Sequence, residues 1–300
     1  MGLDARGDIA IVQILFYIPI IVTSLIITSR HGWTRRAGWI FLLILSIIRI
    51  LGGAIHLASR NNPSNTNLRV AYAILEGAGL SPLLLATIGF LGTIAEHAFK
   101  KNLQMPKILH ILRILSIVGI VLIIVGGSKS ASAGTDISKL NSATNLRHAG
   151  SILFVVLFSL LVIVHLYFWA NRGEILQHRR TMLIGISCAI PFLGVRVLYG
   201  ILSSFAPLIP TESNGLSQFS LTTGAWGIYL AMSVLMEFTA VLIYTFVGIT
   251  IPLEGDYPQP STYNDSSLQT HQYAGGQQYT TEYRYPPFQN RETSNGAMRV

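Results

Sequence analysis

The sequence predicts an all-α polytopic membrane protein: a bundle of seven transmembrane helices, with the N-terminus outside and the C-terminus in the cytosol. Three observations lead there. Seven apolar runs recur within residues 1–251, each near the ~20 residues that a helix needs to cross a ~30 Å hydrocarbon core. The 300-residue chain is 51% hydrophobic and 11% charged, with a mean hydropathy of +0.52, which leaves too little polar surface to cover a water-soluble globule of that size. No segment alternates with a strand-like period of two, so helices are left to satisfy the backbone in lipid.

The runs lie at about Ile9–Ser29, Ala37–Ala58, Val70–Ile94, Ile108–Gly127, Ala149–Ala170, Thr181–Phe205 and Gly224–Ile251. Asp4, Arg6 and Asp8 precede the first run, which lacks the basic n-region and small-residue cleavage site of a secretory signal and reads as a retained helix. The connectors (Arg30–Arg36, Ser59–Arg69, Ala95–Lys107, Ser128–His148, Asn171–Arg180 and Ala206–Thr223) are rich in Arg, Lys, Asn, Ser or Pro, as headgroup-level turns should be. Nine Lys and Arg residues fall in the first, third and fifth connectors, against six in the opposite set counted with the N-terminus, and this bias sets the orientation. After Pro252 the composition turns to Tyr, Gln, Ser, Pro, Asn and Gly. Residues 252–300 therefore read as a disordered cytosolic tail whose tyrosines offer a place for a cytosolic partner.

The formal charge of +8 does not imply nucleic acid, because the cations sit in short connectors where they suit lipid headgroups. The single cysteine, Cys188, lies inside an apolar run and reads as a small core residue. No Walker loop, nucleophile elbow, Cys-x-x-Cys pair or His-x-x-x-His zinc pair is present, and no run holds the lysine that a retinal Schiff base needs. The expectation is therefore no enzyme and no cofactor.

Four charged side chains within the runs are the most informative feature, since each costs roughly 2.5–3.5 kcal/mol on insertion scales unless paired or hydrated. Arg49, Glu76, Arg196 and Glu237 permit complete pairing, with Arg196 and Glu237 the expected partners. Helical spacing places Arg49, Gly52, Gly53 and His56 on one face, Phe192, Arg196, Tyr199, Gly200 and Ser203 on another, and Trp226, Tyr229, Ser233, Glu237, Ala240 and Tyr244 on a third. The third run adds Tyr72, Glu76 and Gly79. Such stripes should face one another, as salt bridges that fix helix order or as the wall of a ligand or ion site. The candidate cluster is Arg49, Arg196, Glu237, Glu76 and His56. Pro19, Pro82 and Pro191 offer kinks that shape the bundle or act as hinges.

Two segments carry a family resemblance: Arg30-His31-Gly32-Trp33 with Gly38-Trp39 and Arg49-Ile50-Leu51-Gly52-Gly53, then Gly79-Leu80-Ser81-Pro82-Leu83-Leu84. Together they resemble a fungal family of multispan membrane proteins catalogued as domain of unknown function 7702. The resemblance implies a fungal source and a seven-helix domain, and supplies no catalytic residues. The topology is more distantly similar to fungal lipid-translocating and stress-resistance seven-span proteins.

These readings lead to a sensor or transporter of a small or lipidic molecule, surrounded by membrane lipids, with the plasma membrane as the default location. Two alternatives stand beside it. One is a haem-binding electron carrier using His56, His148, His110 and His165, which fall in two depth-matched sets. The other is a scaffold that recruits partners through its tail.

Overall fold

The computed structural model describes residues 5–31, 38–62, 65–98, 104–133, 136–175, 177–206, 215–221 and 224–250. Among these residues the chain is helical and contains no strand. Seven helical spans are long and apolar enough to cross a membrane. The tail expected at 252–300, and the scaffold role attached to it, lie outside the described residues.

The helices are α1 (Ala5–His31), α2 (Trp39–Asn61), α3 (Thr66–Ala78), α4 (Leu80–Ala98), α5 (Gln104–Ser132), α6 (Ile137–Ala170), α7 (Gln177–Phe205) and α8 (Trp226–Thr250). Helices α3 and α4 form a single span, interrupted at Gly79, where Pro82 removes a backbone donor from the next turn. Helices α1 and α7 run unbroken through Pro19 and Pro191.

Exposure follows from lipid as the solvent. Large apolar side chains such as Leu15, Ile117, Ile163 and Phe246 face outward on α1, α5, α6 and α8, where acyl chains would cover them. The α3–α4 span is instead central: it packs against α2, α5 and α7, and α4 also touches α6. Leu83, Leu84, Ile88, Leu91 and Ile94 on α4 are fully enclosed. Around it α1 packs on α2, α5 on α6, α6 on α7, α7 on α8, and α8 back on α1.

Because lipid tails are as apolar as leucine, close backbone approach rather than hydrophobic burial holds such helices together. The α5–α6 contact shows this. A Cβ added to Gly150 would meet the Gly119 carbonyl at 3.1 Å, and one added to Gly126 would meet the Ala143 carbonyl at 3.0 Å.

The connector expected at 128–148 is largely helix. Asp136 caps α6, its carboxylate accepting the backbone N–H groups of Ser138 and Lys139 and the Ser138 hydroxyl. Thirty-four residues at about 1.5 Å each give roughly 50 Å, well beyond a ~30 Å core. Arg147 therefore stands on a helix face near the core boundary and not in a loop.

Candidate functional site

Helix α2 presents Arg49, Gly52, Gly53 and His56 inward, all buried, as the i, i+3, i+4, i+7 spacing requires. Two glycines make room for this face. A Cβ on Gly53 would lie 2.9 Å from Ile14 of α1, and one on Gly79 would lie 2.5 Å from Nη2 of Arg49. The interruption between α3 and α4 thus falls beside the Arg49 guanidinium.

Arg49, Glu76, Arg196 and Glu237 form one closed ring. Arg49 donates from Nη1 to Glu76 Oε2 at 2.6 Å, and from Nε and Nη2 to the two carboxylate oxygens of Glu237. Arg196 donates from Nε to Glu237 Oε2 at 3.2 Å, and from Nη2 to Glu76 Oε1 at 3.4 Å and to the Glu76 carbonyl at 3.2 Å. Three hydroxyls complete the set: Tyr17 to Glu237 Oε1 at 2.8 Å, Tyr229 to Glu76 Oε2 at 3.1 Å, and Ser233 to Glu76 Oε1 at 3.0 Å. Each of the four carboxylate oxygens accepts two hydrogen bonds, and signs alternate around the ring. All four charges are at most 3% exposed, so compensation has to be internal, and it is.

The expected pairing of Arg196 with Glu237 is present but incomplete as a description. Arg49 is the second partner of Glu237, and the bidentate one. Helix α8 contributes through an irregularity. Leu230–Leu235 is π-helical, and a turn closed at i+5 holds more residues than an α-turn. That shift keeps Tyr229, Ser233 and Glu237, at i, i+4 and i+8, on the ring side. Trp226, expected on the same face, is instead 54% exposed, one α-turn before the widened stretch.

A cavity of about 50 Å³ adjoins the ring. Its walls come from α3 (Ala73, Glu76), α5 (Ile123), α6 (Arg147, Ser151), α7 (Arg196, Ile201, Ser203, Ser204) and Leu221. Leu221 marks the end of the bundle that carries the chain's N-terminus, since Arg6 donates to its carbonyl and to that of Gly224. The Arg6 guanidinium also lies 5.9 Å from the Tyr229 ring centroid.

The histidines are dispersed among different neighbours. His56 lies on Tyr72 with ring centroids 4.4 Å apart. His148 stacks on Phe205 at 4.0 Å and bonds the Ser204 carbonyl. His165 shares the Ser187 hydroxyl with Trp169, and His110 is exposed. No group of three or more potential metal ligands occurs among the described residues. His56 belongs to the polar face of α2 and lies against Tyr72 of α3. Cys188 faces outward and is not a core residue.

Several participants were not anticipated from sequence. Tyr17 had a readable signal: Gln13, Tyr17, Ser24 and Thr28 share one face of α1 at helical spacing, and all are buried. Arg147 falls in an expected connector, yet the structure places it in α6. Arg113, partly buried at the tenth residue of α5 and outside the ring and cavity wall, is a fifth charge within the apolar runs that the expectation of four leaves out.

A family model described as a domain of unknown function (DUF7702) matches residues 3–254, and the chain belongs to that family. The match ends with the seventh span. No curated protein and no solved structure matches the chain.

Proposed function

We propose that this member of the DUF7702 family is a non-enzymatic multi-pass membrane protein that senses or moves a small or lipidic molecule. The molecule would enter the cavity beside the charge ring from the N-terminal end of the bundle. One observation carries the reading: Glu76 and Arg196 belong to both the ring and the cavity wall. The ring ties α2, α3, α7 and α8 together, and α1 through Tyr17. A molecule in the cavity therefore acts on two of the four charges that hold five helices in register. Differential contact with two arrangements of such a network is what a ligand needs to shift its population.

Nine basic residues on one set of connectors against six on the other support an N-terminus outside, which would turn the cavity toward the exterior. A ring with every carboxylate oxygen doubly bonded also suits a static role in fixing helix order. The two readings differ in whether water reaches the cavity.

The chain's only cysteine is Cys188, so Cys188→Ser gives a cysteine-free background for the test. In it, Ala73→Cys and Ile201→Cys are exposed to a membrane-impermeant methanethiosulfonate reagent from either side of sealed vesicles, with Leu83→Cys as the enclosed control. The proposal expects labelling at residues 73 and 201 and none at 83. Access from one side only fits a sensor, and access from both sides fits a transporter. Absence of labelling at both cavity positions would leave the ring a purely structural device.

A further inference from the structure

We propose that Arg147, Ser204 and Ser151 form an anion site in the cavity wall, taking one phosphate group; the assignment rests on the reading that the cavity admits a ligand. The first observation is a pair of unmet bonding demands. Arg147 Nη2 donates to the Ser203 carbonyl at 3.4 Å, while its Nη1 is enclosed and has no hydrogen-bond partner among the described residues. Ser204 Oγ is likewise enclosed without a partner. Both residues line the cavity. A partly buried guanidinium with an enclosed, idle donor is costly unless an acceptor, and preferably a counter-charge, is supplied to it.

The second observation is charge. The four-membered ring is neutral, and the oxygens of Glu76, which also faces the cavity, are already filled by two arginines and two hydroxyls. Among the described residues, Arg147 is therefore the unmatched charge of this wall. A guanidinium beside a free hydroxyl is the donor set that oxyanions select. Ser151 stands one turn further along α6, its hydroxyl engaged with the His148 carbonyl and able to turn toward an anion. His148 Nε2 bonds the Ser204 carbonyl at 3.1 Å and so fixes the stretch of α7 that carries the free hydroxyl.

Size and depth agree. A cavity of about 50 Å³ holds roughly three to four waters, the space of one phosphate group. Counted back from Ala170 at about 1.5 Å per residue, Arg147 lies roughly 35 Å along α6, at headgroup level for a ~30 Å core. A lipid phosphate and a soluble one share this chemistry, and the experiment separates them.

The protein is purified into dodecyl maltoside in phosphate-free buffer, and its thermal midpoint is read with inorganic phosphate, with phosphatidic acid in mixed micelles, and with chloride at matched ionic strength. Wild type should gain about 5 °C or more at saturation with at least one phosphate probe. Arg147→Gln and Ser204→Ala should lose most of that gain, and Arg147→Lys should keep part. Arg147→Gln alone should not lower the ligand-free midpoint, because it gives up only the long 3.4 Å bond to the Ser203 carbonyl and removes a partly buried charge with no counter-charge among the described residues; a structural role would lower it. If Arg147→Gln does not fold, Ser204→Ala carries the comparison. Gain with phosphatidic acid alone assigns a lipid, and gain with inorganic phosphate assigns a soluble anion. No gain in wild type beyond chloride, or equal gain in wild type and Ser204→Ala, overturns the site. Labelling at Ile201→Cys without a phosphate gain defeats this site alone, whereas no labelling defeats the open-cavity reading beneath it.

Discussion

Arg49 spans both oxygens of Glu237, 188 positions further along the chain, and still reaches Glu76 with its remaining nitrogen at 2.6 Å. One guanidinium thus joins α2, α3 and α8. Substituting Glu237→Gln preserves the shape but leaves two arginines facing one carboxylate in an enclosed site. The expected loss is about 3–5 kcal/mol, measured by reversible unfolding in mixed detergent micelles. A loss below ~1 kcal/mol would mean that water reaches the ring and screens it.

Gly79 is the second point of sensitivity. Its missing Cβ is the space in which the Arg49 guanidinium lies, so Gly79→Ala has to displace a side chain already held by two carboxylates. A loss of about 1–3 kcal/mol is expected. Gly173→Ala, where a Cβ would meet nothing within 4 Å, is the matched control and should stay within ~0.5 kcal/mol of wild type.

How much of this was legible in the sequence depends on the kind of contact. Span number and rough limits follow from apolar length, a property of each segment alone, and each of the seven expected runs overlaps one of the seven helical spans, the fifth beginning at Ile137 instead of Ala149. The inward stripe of α2 was legible for the same reason, because 3.6-residue spacing is local. The pairing of Glu237 with Arg196 was legible, but Arg49 as its second, bidentate partner was not. Placing Arg49 there as well requires the order of helices around the bundle, which no single segment encodes. Trp226 shows a finer failure: an α-helical wheel puts it with Glu237, and the π-turns of Leu230–Leu235 separate them. Arg147 was hidden because Ile137–His148 is polar enough to read as a connector, yet an Asp136 cap extends the helix through it.

The ring's hydroxyls make a prediction that separates donors from bystanders. Tyr17→Phe and Tyr229→Phe each remove one hydrogen bond to a buried carboxylate and should cost about 1.5–3 kcal/mol. Trp226→Phe, on the exposed side of α8, should cost less than ~0.5 kcal/mol. Thermal or denaturant unfolding of the three variants side by side checks the ranking.

The α6 cap carries a pH dependence. The Ser138 hydroxyl, with the Lys139 backbone N–H, holds the Asp136 carboxyl below its ordinary value. A depressed folded-state value means that the contribution is complete above the ordinary aspartate range near 4 and fades as pH falls through it. The difference in thermal midpoint between wild type and Asp136→Ala should therefore be present at pH 7 and shrink toward pH 3. A constant difference would show that the carboxylate is not the capping group.

The claim on which the rest depends is that the four charges act as one alternating ring and not as two independent pairs. Unfolding free energies of charge-swapped variants test it directly. Exchanging only Arg196→Glu with Glu237→Arg would restore an isolated pair, but in a ring it sets residue 237 against Arg49 and residue 196 against Glu76, like against like. Inverting all four positions at once restores alternation. The account predicts that the double exchange is no more stable than Glu237→Arg alone, and that the fourfold inversion recovers a substantial part of the loss. Full recovery by the double exchange, with no further gain from the fourfold inversion, would contradict it.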